Sequence, residues 1–279
     1  MFSFLSNFFA KKGIDCFAPI PLADCSVVRP YLLERAGISD GTAILFAVPY
    51  FSSDSTLPRN LSAYSVPRDY HAYFKSLFEE LLPQLRERFP QYRFAGFSDH
   101  SPIAEIEAAC RAGLGVLGKN HLLITKRYAS YVFLGEIITD ARLECVSQPI
   151  GYCSDCGACQ AACPMTTHGG VCLSALTQKK GELTDGEIAY LREYSSVWGC
   201  DICQEVCPHT KQALKDKTIF SPIPYFSENT IPYLTKEILD AMPDEEFETR
   251  AYAWRTRAVI SRNLDLLEMN DREEEHEDA

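Results

Sequence analysis

The 279 residues are 46% apolar and 11% aromatic, enough for a core of ordinary density, which excludes a disordered, collagen-like or minimal disulfide-stapled chain. Twenty-seven basic against 38 acidic side chains give −11, so attraction to nucleic acid or an anionic membrane is disfavoured on average and would need a local basic patch. Residues 270–279 carry −5 of that charge and read as a solvated acidic tail.

In chain order, the apolar stretch 1–10 is short, and its charges Lys11 and Lys12 follow it rather than precede it. No apolar run approaches the roughly 18 to 20 residues of a membrane span, so a soluble, cytoplasmic chain without membrane partners is expected. Residues 42–51 and 93–98 read as extended, and 69–88 and 103–112 as helical, which is an α/β pattern. In the longer helix Tyr70, Tyr73, Phe74, Leu77, Phe78 and Leu81 recur at helical spacing, a core-facing stripe that Pro83 is expected to kink or end. Asp99 and His100 follow an extended stretch, where a carboxylate can project into a crevice. The alternative for Asp99 is the N-cap of a helix led by Pro102. Residues 121–139, rich in β-branched and aromatic side chains, predict two strands around Lys126 and Arg127.

Of the twelve cysteines, eight fall between Cys153 and Cys207, while Cys16, Cys25, Cys110 and Cys145 lie apart, a clustering that points to metal in a reducing compartment. Cys153, Cys156, Cys159 and Cys163, followed by Pro164, have the spacing of a bacterial ferredoxin, whose fourth cysteine ligates the neighbouring cluster. The second run, Cys200, Cys203 and Cys207 with Pro208, matches the last three ligands, with Val197 where the first would stand. Two four-iron clusters need eight thiolates. Cys172 is the nearest candidate for the eighth place and Cys145 is its rival. On the crossover rule one cluster takes Cys153, Cys156, Cys159 and Cys207, and the other Cys163, Cys172, Cys200 and Cys203. Zinc also binds paired C-x2-C units, but needs neither a three-cysteine run nor a repeated prolyl fourth cysteine. Two adjacent clusters make an electron relay, and a freestanding ferredoxin would not need the α/β stretch before it. Between the runs a polar helix is predicted over 185–194. After Cys207 a connection punctuated by Pro222, Pro224 and Pro232 leads to short helices, the last over 246–267.

Gly113, Gly115 and Gly118 followed by Lys119 and Asn120 match G-x-G-x-x-G and nearly match a phosphate loop. Both need a strand before and a helix after, whereas here a helix precedes and a strand-like stretch follows, so a Gly-rich turn with close backbone approach is preferred. Asp69 and His71 begin like a cobalt-ligating D-x-H-x-x-G signature, but Phe74 occupies its glycine position, and that reading is rejected.

With these segments in view, the chain resembles the epoxyqueuosine reductase family, corrinoid iron–sulfur enzymes that complete the tRNA nucleoside queuosine. The resemblance is carried by DYH at 69–71, SDHSP at 98–102, AGLGVLGKN at 112–120, ASYVFLGEIITD at 129–140, both cysteine runs, VCLSALT at 171–177 and RTRAVISRN at 255–263. It implies a base-off cobalamin between the α/β domain and the cluster module, an electron donor of ferredoxin or flavodoxin type, and a lone cysteine ligand at the Cys172 place. It also implies that Asp99 is the proton donor above the corrin and that Ser62, Asn120, Leu123, Leu134 and the backbone near Asp201 line the cofactor. A general acid there would need a raised pKa, which burial could supply. Family members usually carry a further C-terminal helical-repeat domain, Ile106 replaces a usual arginine after Glu105, and the segment between Arg35 and Gly41 is abbreviated.

The expected architecture is α/β: a mixed α/β cobalamin and substrate domain over 1–144, a ferredoxin-like two-cluster module over 145–215, a helical segment over 216–268 and an acidic tail over 269–279. The expected function is cobalamin-dependent reduction of epoxyqueuosine, with tRNA disfavoured as a partner by charge and by the missing repeat domain. The alternatives are a corrinoid reductase of a small molecule and a noncatalytic electron carrier or corrinoid-binding protein.

Overall fold

The computed structural model describes the backbone of residues 1–277 and the side chains of residues 1–268. Two compact units form, each from three stretches of chain. The first comprises Met1–Phe51, Tyr70–Gly157 and Cys207–Ile223, and the second Ser52–Asp69, Ala158–Val206 and Pro224–Ala279. The consecutive segments expected from the sequence differ from these units, because core packing rather than chain order decides which stretches belong together. The side chains of the expected tail, 269–279, lie outside the described residues.

In chain order the first unit begins with α1 (Phe2–Lys11), β1 (Cys16–Pro21), α2 (Pro30–Ala36), β2 (Thr42–Pro49), α3 (Tyr70–Arg88) and β3 (Phe94–Phe97). It continues with α4 (Glu105–Arg111), β4 (Gly115–Leu117), β5 (Leu123–Thr125) and β6 (Val132–Thr139). The main sheet has the order β1-β2-β6-β3 with every neighbouring pair antiparallel. The apolar run TAILFAVP makes β2 buried throughout, so both sheet faces must be covered. On one face Phe46 packs against Phe9 of α1 and Phe74 of α3, with ring centroids 4.8 and 5.9 Å away. On the other, Ala43, Leu45, Ala47 and Ile138 pack with Ala108, Ala109 and Cys110, the small residues of α4. Glu136 of β6 pairs in register with Leu45 and Phe97 and is fully buried on this same face.

The expected stripe on α3 buries Phe74, Leu77 and Leu81. Pro83, however, does not end the helix, which runs on to Arg88. The bond it forfeits is to the carbonyl of Glu79, an exposed residue at which water can substitute. The two strands expected over 121–139 exist but belong to different sheets: β5 pairs with β4, and β6 with β2 and β3.

The second unit contains α5 (Ala158–Ala161), α6 (Leu173–Thr177), α7 (Asp185–Glu193) and α8 (Ile202–Glu205). The chain then supplies α9 (Pro208–Lys215) to the first unit, and α10 (Lys236–Ala241), α11 (Asp244–Phe247) and α12 (Arg257–Glu277) to the second. α7 starts at a capping box in which Thr184 and Glu187 satisfy each other's backbone amides. The single helix expected over 246–267 is divided, because Thr256 takes a positive φ of 78° between a 3-10 turn and α12. Trp198 is fully buried and meets Tyr252 edge-on at 6.3 Å.

Buried amides tie this unit together. Asn60 exchanges two hydrogen bonds with the Leu234 backbone, and Asn263 donates to the carbonyls of Thr177 and Val197 at 2.8 and 2.9 Å. Asn263→Leu leaves both carbonyls buried and unpaired, so a loss of about 3 kcal/mol is expected in urea unfolding. A variant as stable as its parent would show that the unit does not depend on these bonds.

Candidate cofactor and active site

Both prolyl cysteines have the same local structure. Cys163 precedes a 3-10 turn and Cys207 precedes α9, each in an extended conformation with proline as the first helical residue. Proline's fixed φ suits that position and its missing N–H costs nothing there, so each Cys-Pro pair turns the chain sharply at a ligand. Cys172 stands at the N-cap of α6 in the same extended conformation. Gly199, just before Cys200, has a φ of 75°, and a Cβ there would lie 2.5 Å from that of Ser62. Only glycine fits both demands.

Within the second unit, four cysteines share one neighbourhood. The Cys200 thiol is pushed up to about 11, chiefly by burial and then by Asp201, Cys203 and Cys172. Tyr190 of α7 is pushed up to about 12, again by burial first, with Cys200, Cys172 and Cys163 adding to it. α5, which carries Cys159, packs against α8, which carries Cys203. Cys145 is placed differently: its thiol donates to the Leu143 carbonyl at 3.3 Å, and it is raised by burial first and by the Asp24 charge second. Among the described residues no three His, Cys, Asp or Glu side chains are gathered as round a single ion. A four-iron cluster spaces its thiolates more widely, and the neighbourhood of Cys163, Cys172, Cys200 and Cys203 fits that larger group.

The first unit has a cleft of about 560 Å³ lined by Tyr70, Asp99, Glu105, Ile106 and an apolar wall including Leu123, Val132 and Leu134. Asp99 follows β3 with a φ of 63°, and its Oδ2 lies 3.5 Å from Nε2 of His71 on α3. It is not a helix cap, because α4 starts at Glu105 and its N-cap is Ala104. The expectation of a raised pKa rests on burial beside the macrocycle, and the protein's own side chains act in the other direction. His71 beside it holds the Asp99 carboxyl below the usual carboxylate range, assisted by His100 and Arg29 and opposed by partial burial.

The raised carboxyls are two that the sequence did not single out. Glu105 is pushed up to about 7, by burial first and by the Asp99 charge second, against Arg29. Glu136 is raised well above its usual range by burial, with Glu105 adding to the effect and the Ser101 hydroxyl opposing it. One Glu105 oxygen and both Glu136 oxygens are buried with no donor in hydrogen-bonding geometry, so the nearby Ser101 hydroxyl acts on Glu136 only weakly. The available signal was a carboxylate at a core-facing register position of a strand.

The glycine motif forms the β4–β5 hairpin, with strand where a nucleotide site needs helix. A Cβ on Gly115 would overlap the Ile124 carbonyl, and one on Gly118 would overlap the Asn120 side chain, so the close approach is within the hairpin itself. Lys119 pairs with Asp155 at 2.7 Å. Asn120 lies in this turn, where its side-chain oxygen accepts from the Leu122 amide at 3.4 Å. Leu123, Leu134 and Asp99 thus share the cleft of the first unit. Ser62 and Asp201 line a pocket of the second unit with Arg59, Gly199 and Cys200. There Asp201 is buried and accepts from the Ser62 hydroxyl and the Ala63 amide, both at 2.6 Å, and from Arg59 and Gln204.

No family model matches the chain. An epoxyqueuosine reductase of a Synechocystis species is 30% identical over 83% of this chain and 83% of its own length. One from Listeria monocytogenes is 33% identical over 71% of this chain, but the match spans only 54% of that relative, about half its length. The structure of epoxyqueuosine reductase from Streptococcus thermophilus superposes with a TM-score of 0.76 at 23% identity, covering 96% of this chain and 80% of that one. A crystal structure of epoxyqueuosine reductase with an epoxyqueuosine-modified tRNA-Tyr stem loop gives 0.72 at 25% identity, covering 95% and 80%. No helix among the described residues is long and apolar enough to cross a membrane.

Proposed function

The chain belongs to the epoxyqueuosine reductase family, and from that membership we propose that it reduces epoxyqueuosine to queuosine in tRNA. Two four-iron clusters and a cobalamin are its resident cofactors in this reading. The observation that supports it is that Cys163, Cys172 and Cys203 act electrostatically on Cys200 or on Tyr190 beside it, the four cysteines that the crossover rule assigns to one cluster. Cys153, Cys156, Cys159 and Cys207 hold the other cluster. When bound, the clusters and the corrinoid would supply the one-electron chemistry that the reduction needs.

The chain's own residues bind and supply protons. In the first unit Leu123 and Leu134 would offer an apolar wall to the macrocycle with Asn120 in the neighbouring turn, and in the second unit Ser62 and Asp201 would offer polar groups. Asp99 protonates the departing oxygen. The electron donor is of ferredoxin or flavodoxin class. The tRNA stem loop held by a 25% identical structure makes tRNA the partner favoured here, against the expectation drawn from the whole-chain charge of −11. A cytoplasmic location suits a tRNA substrate and reduced thiolates.

The test is anaerobic reconstitution with iron, sulfide and cobalamin, then assay on epoxyqueuosine-containing tRNA beside the free nucleoside. Queuosine in the tRNA is expected. Tight corrinoid binding without turnover of either substrate would instead support a carrier.

A further inference from the structure

Reductive opening of an epoxide to an alkene breaks two C–O bonds, forms one C=C bond, and releases the oxygen as water. It consumes two electrons, here from the one-electron donor class named above, and two protons. One aspartate cannot supply both without being recharged, and His71 keeps Asp99 ionised in its resting state.

The cleft contains a second carboxyl suited to that task. Glu105 opens α4 and lines the cleft with Asp99. Behind it Glu136 projects from β6 onto the face covered by α4 and is fully buried there. Arg29, whose guanidinium donates to the Ser101 carbonyl at 2.9 Å, is the cation acting on both Glu105 and Asp99. His71 and His100 face Asp99, and His100 is bonded to the Tyr31 hydroxyl at 2.6 Å. Glu136 feels the Glu105 charge and the Ser101 hydroxyl, and its own charge acts on the Cys25 thiol. Among the described residues no cation offsets the burial of Glu136, and burial favours its protonated form.

We propose that Glu105 and Glu136 form a proton reserve on the cleft wall, with Glu105 recharging Asp99 between the two protonations and Glu136 fixing Glu105 as the carrier of the proton. The delivery step rests on the proposed function, whereas the reserve is a property of this chain's own side chains. Glu105 is open to the cleft and shares its proton with Asp99. Glu136 is closed off, and its neutral carboxyl avoids placing a second negative charge against Glu105.

Infrared spectroscopy of the reconstituted holoprotein reads the reserve directly. A protonated-carboxyl band should appear as pH falls through about 7 and be absent from Glu105→Gln. A second band should persist across the neutral range and be lost in Glu136→Gln. Carbon-13 labelling of glutamate alone should shift both bands in the parent, which assigns them even if a variant fails to fold. Stability carries the same sign. The raised Glu105 pKa favours the folded state fully below about 4.5, and that advantage is lost as pH rises through about 7. Urea unfolding should therefore show Glu105→Gln gaining on its parent across that window.

In single turnover with epoxyqueuosine tRNA, Glu105→Gln should be slower by about tenfold or more and lose the parental fall in rate above pH 7. The absence of a titrating glutamate band near neutrality would overturn the reserve. Parental rates for Glu105→Gln from pH 6 to 8 would overturn the delivery. A parent that binds its cofactors yet leaves the tRNA unreduced would overturn the proposed function instead, and the infrared titration would still decide the reserve.

Discussion

Anaerobic reconstitution should give about eight irons and eight sulfides per chain, and Cys172→Ser should lose roughly half of both, because eight thiolates in this spacing satisfy two four-iron clusters. Cys172 caps α6, and its charge reaches both Cys200 and Tyr190. Removing it leaves Cys163, Cys200 and Cys203 one ligand short. Cys145→Ser should keep the full iron content, since that thiol is committed to the Leu143 carbonyl and its charged neighbour is an aspartate. Iron analysis and the visible charge-transfer absorption of both variants check this in one preparation. The reverse pattern would move the eighth ligand to Cys145, and bound zinc without that absorption would remove the clusters altogether.

The cysteine spacing that proposes the cluster ligands is legible because its information is local. Ligand spacing and the prolyl turn are properties of a few consecutive residues, and the structure repeats the turn at Cys163 and Cys207. The stripe on α3 was legible for the same reason. What was not legible depends on elements meeting from distant stretches. Proline signals a helix end by rule, yet Pro83 sits where an exposed carbonyl tolerates the lost bond. The helix expected from Pro102 onward starts later, because Ile103 forms a bridge with Val27 and holds the segment extended. That displacement removes the cap role from Asp99. Glu105 and Glu136 escaped notice because neither is unusual alone. They become a pair only when α4 lies across β6, and burial then raises the pKa of both.

Asp99→Asn should lower single-turnover reduction of epoxyqueuosine tRNA by roughly a hundredfold or more, with iron content and cobalamin affinity nearly unchanged. Asparagine keeps the size and most of the hydrogen bonding of the side chain, but it can neither donate a carboxyl proton nor receive one from Glu105. The cap alternative predicted near silence for this substitution, and it no longer applies because Ala104 holds that position. The resting Asp99 is an anion beside His71, so its acid form exists only while a proton is being passed through it. The substitution should also act on its neighbour. The Asp99 charge is one of the two influences raising Glu105, and removing it should bring the Glu105 titration below about 7. The residual activity of Asp99→Asn should accordingly be confined to lower pH than that of the parent, and the infrared band of Glu105 should appear only at more acidic pH. Equal turnover of parent and variant would end the role of Asp99 as proton donor. A Glu105 band unmoved by the substitution would show that the two carboxyls do not share a proton.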